Sequence, residues 1–355
     1  ALLDFLRFGT DQWAEYVEEE TIRGISEYGN CIGVPVVGGS YHKHECYDKN
    51  PLLNVACIGL MKKENIIYGN ALNPGSLLIY VGSKTGNEGI GGADMASKEF
   101  KMDVKSLKHN IQKGDAFLEK LLLEACCELS TLEIEGMQDM GAGGILCSTV
   151  EVIKRGREKS GKNLGCEIFI DKIPLKQKMT VSNILISESQ ERMLIVSEEK
   201  NLDKIEEIFN KWDLEFKVIG KVTESGNYDV IRNERNIYSK TFDSFKDITE
   251  NWFERNESNK LKLKKEKYDL NKWSVYDNTL GGRTIKGPLE KGSYSILDLY
   301  EIGKKLFITW GTTFDECKQK MDKFNAKNLA IVNCLNFGHP QDSISDFSKT
   351  VEDLS

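Results

Sequence analysis

What this sequence lacks narrows its class before any motif is considered. Proline is scarce, with 6 residues in 355, and no Gly-X-Y or low-complexity period is present, which excludes collagen-like and disordered chains. No apolar run approaches the ~20 residues that a membrane-crossing helix needs; the longest candidate, Leu77-Leu78-Ile79-Tyr80-Val81, has the length of a strand. There is no excess of basic charge. Lys and Arg total 48 against 55 Asp and Glu, a net charge of −7, which argues against a general nucleic-acid or membrane-surface binder that relies on counterion release. The nine cysteines form no C-x-x-C pair, and Cys57, Cys126, Cys147 and Cys334 sit in apolar runs where Cys acts as a small hydrophobe, so a reducing, cytoplasmic setting is expected. No Ser-His-Asp set, zinc spacing or dinucleotide fingerprint occurs. His42-x-His44-x-Cys46 is the one spacing that invites a metal, and with no fourth ligand nearby it reads as a polar loop before Asn50-Pro51.

What is present is a globular α/β pattern, 40% hydrophobic and 29% charged, long enough for two domains or for one domain and two partial ones. The opening Ala1-Leu-Leu-Asp4-Phe-Leu6-Arg-Phe8-Gly9 returns near the end as Ala330-Ile-Val-Asn333-Cys-Leu335-Asn-Phe337-Gly338, an apolar strand, a carboxylate or carboxamide, then L-x-F-G. Duplication and chance recurrence of a short apolar pattern both account for it. The first residue is Ala1 rather than Met, and Ala1–Phe8 reads as a strand already under way, so an N-terminal part is expected to be missing.

Residues 1–70 read as strand, amphipathic helix (Trp13 to Tyr28), strand (Ile32 to Val37), a Gly38-Gly39 turn and strand (Leu52 to Met61). Asn73-Pro74-Gly75 opens a second unit with a strand at 77–82, a helix from an Asp115 cap, a helix through Val150–Lys154, strands at 167–171, 192–197 and 215–219, and a helix over 201–211. In the Asp115 helix Phe117, Leu118, Leu121, Leu122, Ala125 and Leu129 are expected to form the buried stripe. From Arg232 to Leu270 the pattern turns polar and lysine-rich, as in a solvated linker, before a further α/β segment.

Three segments carry chemistry. Gln138-Asp139-Met-Gly-Ala-Gly-Gly144 can converge backbone N–H groups into an anion nest ahead of a helix, with Asp139 placed as a magnesium ligand; a tight glycine turn with Asp139 as a helix cap explains the spacing equally well. Ile186-Ser-Glu188-Ser189-Gln190-Glu191-Arg192-Met193 sets donors and acceptors for an amide and a ribose at a strand mouth; the plainer alternative is a polar loop paired by Arg192. Val81-Gly-Ser-Lys84-Thr-Gly86-Asn-Glu-Gly89-Ile-Gly91-Gly92 has a phosphate-loop composition, although Lys84 precedes the glycines, so it is not a Walker A motif.

These strings, with Asn50-Pro51-Leu52-Leu53-Asn54 before them and Asn333-Cys-Leu-Asn-Phe-Gly338 after them, resemble phosphoribosylformylglycinamidine synthase of the small type, in order and over nearly the whole chain. The resemblance implies an α/β (α+β) fold like that of aminoimidazole ribonucleotide synthetase, internally duplicated. On that pattern 1–70 is the C-terminal part of a first N-type domain, 71–225 a C-type domain, 226–270 a linker and 271–355 the start of a second N-type domain. The implied reaction converts formylglycinamide ribonucleotide, ATP and ammonia to the amidine, with Mg2+ as cofactor. The implied partners are a glutaminase subunit (PurQ) and a small bridging subunit (PurS).

Carried over by position, Asp139 would bind Mg2+, and Gln112, Glu188, Ser189 and Gln190 would contact the ribonucleotide. Asn333 would stand at the ATP site, where the family usually has Asp. Asn87-Glu88, Gly91 and Ser40 also depart from the family's Arg-Asp, His and Glu. The family's catalytic histidine, ATP-binding lysine and a magnesium glutamate are expected upstream of Ala1, and a Ser-Gly-Asn-type loop beyond Ser355, so no catalytic residue is assigned within the chain and it is expected to be inactive alone. Rival readings are another ATP-dependent enzyme of the same superfamily, acting on aminoimidazole ribonucleotide, thiamine phosphate or selenophosphate, and a non-catalytic assembly subunit retaining the fold.

Overall fold

The computed structural model describes residues 1–59, 61–92, 111–245, 284–286, 294–299, 304–309 and 329–331. The chain divides into two compact units, one of residues 1–60 with 259–355 and the other of residues 61–258.

In the first unit, β1 (Leu2–Phe8), α1 (Gln12–Ile32), β2 (Val36–Lys43) and β3 (Leu52–Cys57) build a sheet of order β2-β1-β3, with β1 and β2 parallel across the α1 crossover and β3 antiparallel. Asp11 caps α1 by accepting the Ala14 N–H at 2.8 Å, and Gly33, at φ 81°, ends it. The expected strand at Ile32–Val37 is therefore displaced. Ile32 completes the buried stripe of Ala14, Glu18, Ile22, Ser26 and Gly29, so the apolar run 32–37 is split between a helix end and a strand start.

β11 (Thr284–Lys286), β12 (Tyr294–Leu299), β13 (Lys304–Thr309) and β14 (Leu329–Ile331) form a further sheet of this unit. Leu297 and Ile308 bury against Leu3, Phe5 and Val37. β14 carries the first two residues of the repeated motif, while the rest of that copy, Asn333 included, lies outside the described residues.

The second unit is built on a seven-stranded sheet of order β10-β9-β6-β8-β4-β7-β5. Its elements are β4 (Leu77–Gly82), α2 (Ala116–Leu129), β5 (Gly136–Asp139), α3 (Gly144–Ser160), β6 (Gly165–Phe169), α4 (Val181–Ile186), β7 (Arg192–Ser197), α5 (Leu202–Lys211), β8 (Phe216–Thr223), β9 (Asn227–Arg232) and β10 (Arg235–Thr241). Central strand β4 is buried on both faces, which is why its sequence is continuously apolar rather than alternating. Leu78 and Tyr80 pack with α3 and α4 through Ile145, Val152, Ile184 and Leu185; Ile79 and Val81 pack with α2 and α5 through Leu122, Ala125, Leu129, Ile205 and Phe209. Each buried Val, Leu, Ile or Phe among them contributes on the order of 1.5–3 kcal/mol of transfer free energy.

Asp115 caps α2, accepting the Leu118 N–H at 3.0 Å. Phe117, expected on the buried stripe, is 67% exposed: it stands about 100° around the helix from Leu118, outside the face that Leu122, Ala125 and Leu129 bury. Residues 227–241, expected to begin the linker, instead form two strands of the sheet. β9 buries Tyr228 and Val230, but edge strand β10 is exposed at six of its seven positions, so its sequence carries no alternating signal.

Candidate functional site

The strand registers bring the three glycine- and serine-rich segments to one end of this sheet. Gly82, the last residue of β4, lies opposite Arg192, the first of β7, and Asp139, the last of β5, lies opposite Met193. The loops over 82–92, 139–144 and 187–191 therefore emerge side by side, although up to about a hundred residues separate them in sequence. Two glycines permit the close approach. A Cβ on Gly82, at φ 108°, would run into the Glu191 carbonyl, and one on Gly144, at φ 56°, into that of Ser187.

The loops are tied by hydroxyls and one guanidinium. Ser187 Oγ donates to the Gly86 carbonyl at 2.6 Å, and Ser189 Oγ accepts the Gly86 N–H at 2.9 Å and lies 3.1 Å from Ser187 Oγ. Arg192, 3% exposed, sends Nε to the Ser189 carbonyl at 2.6 Å. Its two terminal nitrogens reach Thr85 Oγ1 at 2.9 Å, the Ser187 carbonyl at 2.6 Å and the Met140 carbonyl at 3.2 Å. Tyr80 Oη lies 3.1 Å from Thr85 Oγ1 and donates to the Ser83 carbonyl. Burial lowers the Arg192 pKa and raises that of Tyr80.

The sequence alone gives Arg192 only the part of pairing a polar loop; its position at the start of a buried strand is the available signal. Lys84 turns away from the glycines to Glu215 at 3.4 Å, and Lys176 pairs with Glu88, whose pKa is lowered against the opposing effect of its burial.

Glu188 joins two of the loops to Gln112. It is 3% exposed, and one carboxylate oxygen accepts the Gly143 N–H at 3.2 Å while the other accepts Gln112 Nε2 at 2.7 Å. Gln190 folds back to donate Nε2 to the Glu188 carbonyl at 2.6 Å. Four sequence candidates thus stand together. Gln112 and Glu188 are directly bonded, Gln190 is one bond away, and Ser189 lies within the wall with its hydroxyl engaged by the glycine loop.

Asp139 is exposed at the mouth and is not a helix cap. The residue capping α3 is Gly143, at φ 68°, with no side-chain cap bond. The Asp139 carboxylate accepts the Gly141 N–H at 3.2 Å and Gln138 Nε2 at 2.9 Å, and the Gln138 carbonyl oxygen in turn accepts from Arg155 at 2.7 Å. A carboxylate has about four acceptor positions, so two remain for a cation. Among the described residues no group of three or more His, Cys, Asp or Glu is arranged to hold a metal, and His44 uses Nδ1 to accept the Cys46 N–H. A lone carboxylate fits Mg2+ carried largely by phosphates and water, rather than a dedicated protein cage.

A mixed sheet flanked by helices on both faces, with glycine loops gathered at one end, is the architecture of AIR synthase related proteins. The sequence matches the C-terminal domain of that family over residues 73–233 and the N-terminal domain over residues 1–61. Phosphoribosylformylglycinamidine synthase subunit PurL of Thermoanaerobacter sp. (strain X514) is 35% identical, over 96% of this chain and 52% of its own length. PurL of Pelagibacter ubique is 34% identical, over 100% of this chain and 54% of its own. The solved structure of T. maritima PurL complexed with FGAR superposes with a TM-score of 0.70 at 32% identity, covering 84% of this chain and 48% of that one. The ATP complex of the same protein gives a TM-score of 0.65 at 30% identity, covering 84% and 46%. The chain belongs to the phosphoribosylformylglycinamidine synthase PurL family and spans about half the length of the curated relatives it matches.

Proposed function

We propose that this chain supplies the formylglycinamide ribonucleotide side, and one magnesium carboxylate, of an ATP-dependent ligase that converts the formyl amide to an amidine in purine biosynthesis. The observation that carries the reading is the bonded set Gln112–Glu188–Gly143 at a mouth walled by Ser187, Ser189 and the glycine loop, with Asp139 at its rim. Solved PurL structures holding FGAR and ATP support it.

In this reaction the ATP γ-phosphoryl group passes to the amide oxygen, and ammonia then displaces phosphate. Such chemistry rests on positioning and charge neutralisation. Gln112, Glu188 and Gln190 orient the ribonucleotide through their amide and carboxylate groups, and Ser189 fixes the loop against which it lies. Asp139 would hold Mg2+, which when bound neutralises phosphate charge. Asn333 is assigned to the nucleotide.

Ammonia comes from glutamine through a glutaminase subunit (PurQ), bridged by a small subunit (PurS), a reading supported by the solved structure of PurLQS from Thermotoga maritima. The setting is cytoplasmic. The two copies of the L-x-F-G motif mark an internal duplication, with 1–70 and 271–355 belonging to N-type domains and the C-type domain between them.

The test is ADP and amidine formation by the polypeptide that carries this chain, with ATP, Mg2+, ammonium and formylglycinamide ribonucleotide. One ADP per amidine is expected. ATP consumed instead with an aminoimidazole precursor, thiamine phosphate or selenide would transfer the chain to a rival reaction.

A further inference from the structure

We infer that Arg192 is a positioning residue that couples the ribonucleotide loop to the magnesium carboxylate, an inference that rests on the functional reading above. Its acceptors are all neutral, and they lie on three different segments. Nε and one terminal nitrogen hold the carbonyls of Ser189 and Ser187, on either side of Glu188. The other terminal nitrogen holds Thr85, next to the Gly86 whose N–H is carried by Ser189. The bond to the Met140 carbonyl reaches the residue directly after Asp139.

A guanidinium presents its donors as a rigid planar fork, so one side chain fixes the relative placement of all three segments; the single ammonium of Lys cannot span them. Arg192 is itself buried and stands behind the loops, so it acts through Glu188 and Asp139 rather than on a ligand. A buried cation without a bonded carboxylate is also costly to retain, which argues for a role beyond filling space. Tyr80 and Thr85 complete the anchor from the β4 side.

The coupling gives a signature that a general stabilising role lacks. Substrate affinity and magnesium dependence should change together, and backbone opening should be confined to the mouth. The experiment compares wild type with Arg192→Lys and Thr85→Val by titration with formylglycinamide ribonucleotide at graded Mg2+, together with amide hydrogen exchange. Arg192→Lys is expected to lose about tenfold or more in ribonucleotide affinity, to require about tenfold more Mg2+, and to exchange the Gly86, Ser189 and Gly143 amides at least about tenfold faster, while the Ile79 and Ile195 amides in mid-strand hold their rates. Thr85→Val should move every readout in the same direction by less, and it decides the matter if Arg192→Lys does not fold.

Unchanged affinity overturns the inference whichever way exchange moves. So does a loss of affinity without faster exchange at the mouth, or faster exchange throughout the sheet, which would mark a purely structural part. Wild type that binds no ribonucleotide overturns the functional reading, and this inference with it.

Discussion

Replacing Asp4 with Asn should remove a pH dependence from the stability of the first unit. Asp4 lies on β1 at 0% exposure, and neither carboxyl oxygen has a hydrogen-bond partner in the structure. Burial alone pushes its pKa up to about 7. The unfolded value is about 3.9, so the folded form holds its proton over about three units in which the unfolded chain has already released it. The sign follows from that order. Below about pH 4 both states are protonated and Asp4 adds no penalty; as pH rises the unfolded state ionises first, stability falls, and the loss levels off above about pH 7. At ~1.4 kcal/mol per unit the full loss is on the order of 4 kcal/mol, of which about 2.5–3 kcal/mol falls between about pH 5 and pH 8. Urea unfolding of wild type and Asp4→Asn, followed by circular dichroism across that range, isolates the contribution, because other titrations cancel in the difference. The variant should gain on wild type as pH rises. A difference that stays constant from about pH 5 to pH 8 would mean that Asp4 does not release its proton across that range in the folded state but has already lost it below about pH 5.

Asp139→Asn should change the melting stability by only a few tenths of a kcal/mol, since the carboxylate caps no helix, yet slow magnesium-dependent turnover of the assembled enzyme by orders of magnitude; a variant that melts early and turns over normally would make Asp139 structural. Gly144→Ala forces a Cβ into the Ser187 carbonyl at a positive φ, so a loss of about 1–3 kcal/mol is expected in a denaturant melt, with weakened ribonucleotide binding. Asp115→Ala removes the cap of α2 and should cost about 1 kcal/mol in the same melt, and Asp115→Asn should restore it.

The elements that the sequence made legible are those whose burial is written in the local pattern. The run Leu77–Val81 could only be a strand of its length, and Asp115 ahead of a leucine stripe marked a helix start that the structure keeps to the residue. Strand β10 was invisible because an edge strand facing water needs no apolar face, and the helix–strand boundary near Ile32 was blurred because both neighbours are apolar. The three motif loops were legible as chemistry but not as neighbours. Nothing local encodes the register that sets Asp139 beside Met193 or Gly82 beside Arg192. Spacing left Asp139 open between cap and ligand, and the backbone removed the cap by starting α3 from Gly143. The role of Arg192 is hidden for the same reason: its acceptors on Ser187, Ser189 and Met140 are backbone carbonyls, which have no letter in a sequence.

On the proposed function, the mouth formed by Gln112, Glu188, Ser189 and Gln190, with Asp139 at its rim, receives formylglycinamide ribonucleotide. A crystal structure of the polypeptide carrying this chain, grown with that ribonucleotide, Mg2+ and a non-hydrolysable ATP analogue, tests it directly. The formylglycinamide group is expected within hydrogen-bond reach of Glu188 and Gln112, with a cation on Asp139. Ribonucleotide bound elsewhere, with Gln112 still closed on Glu188 and nothing on Asp139, would contradict the account.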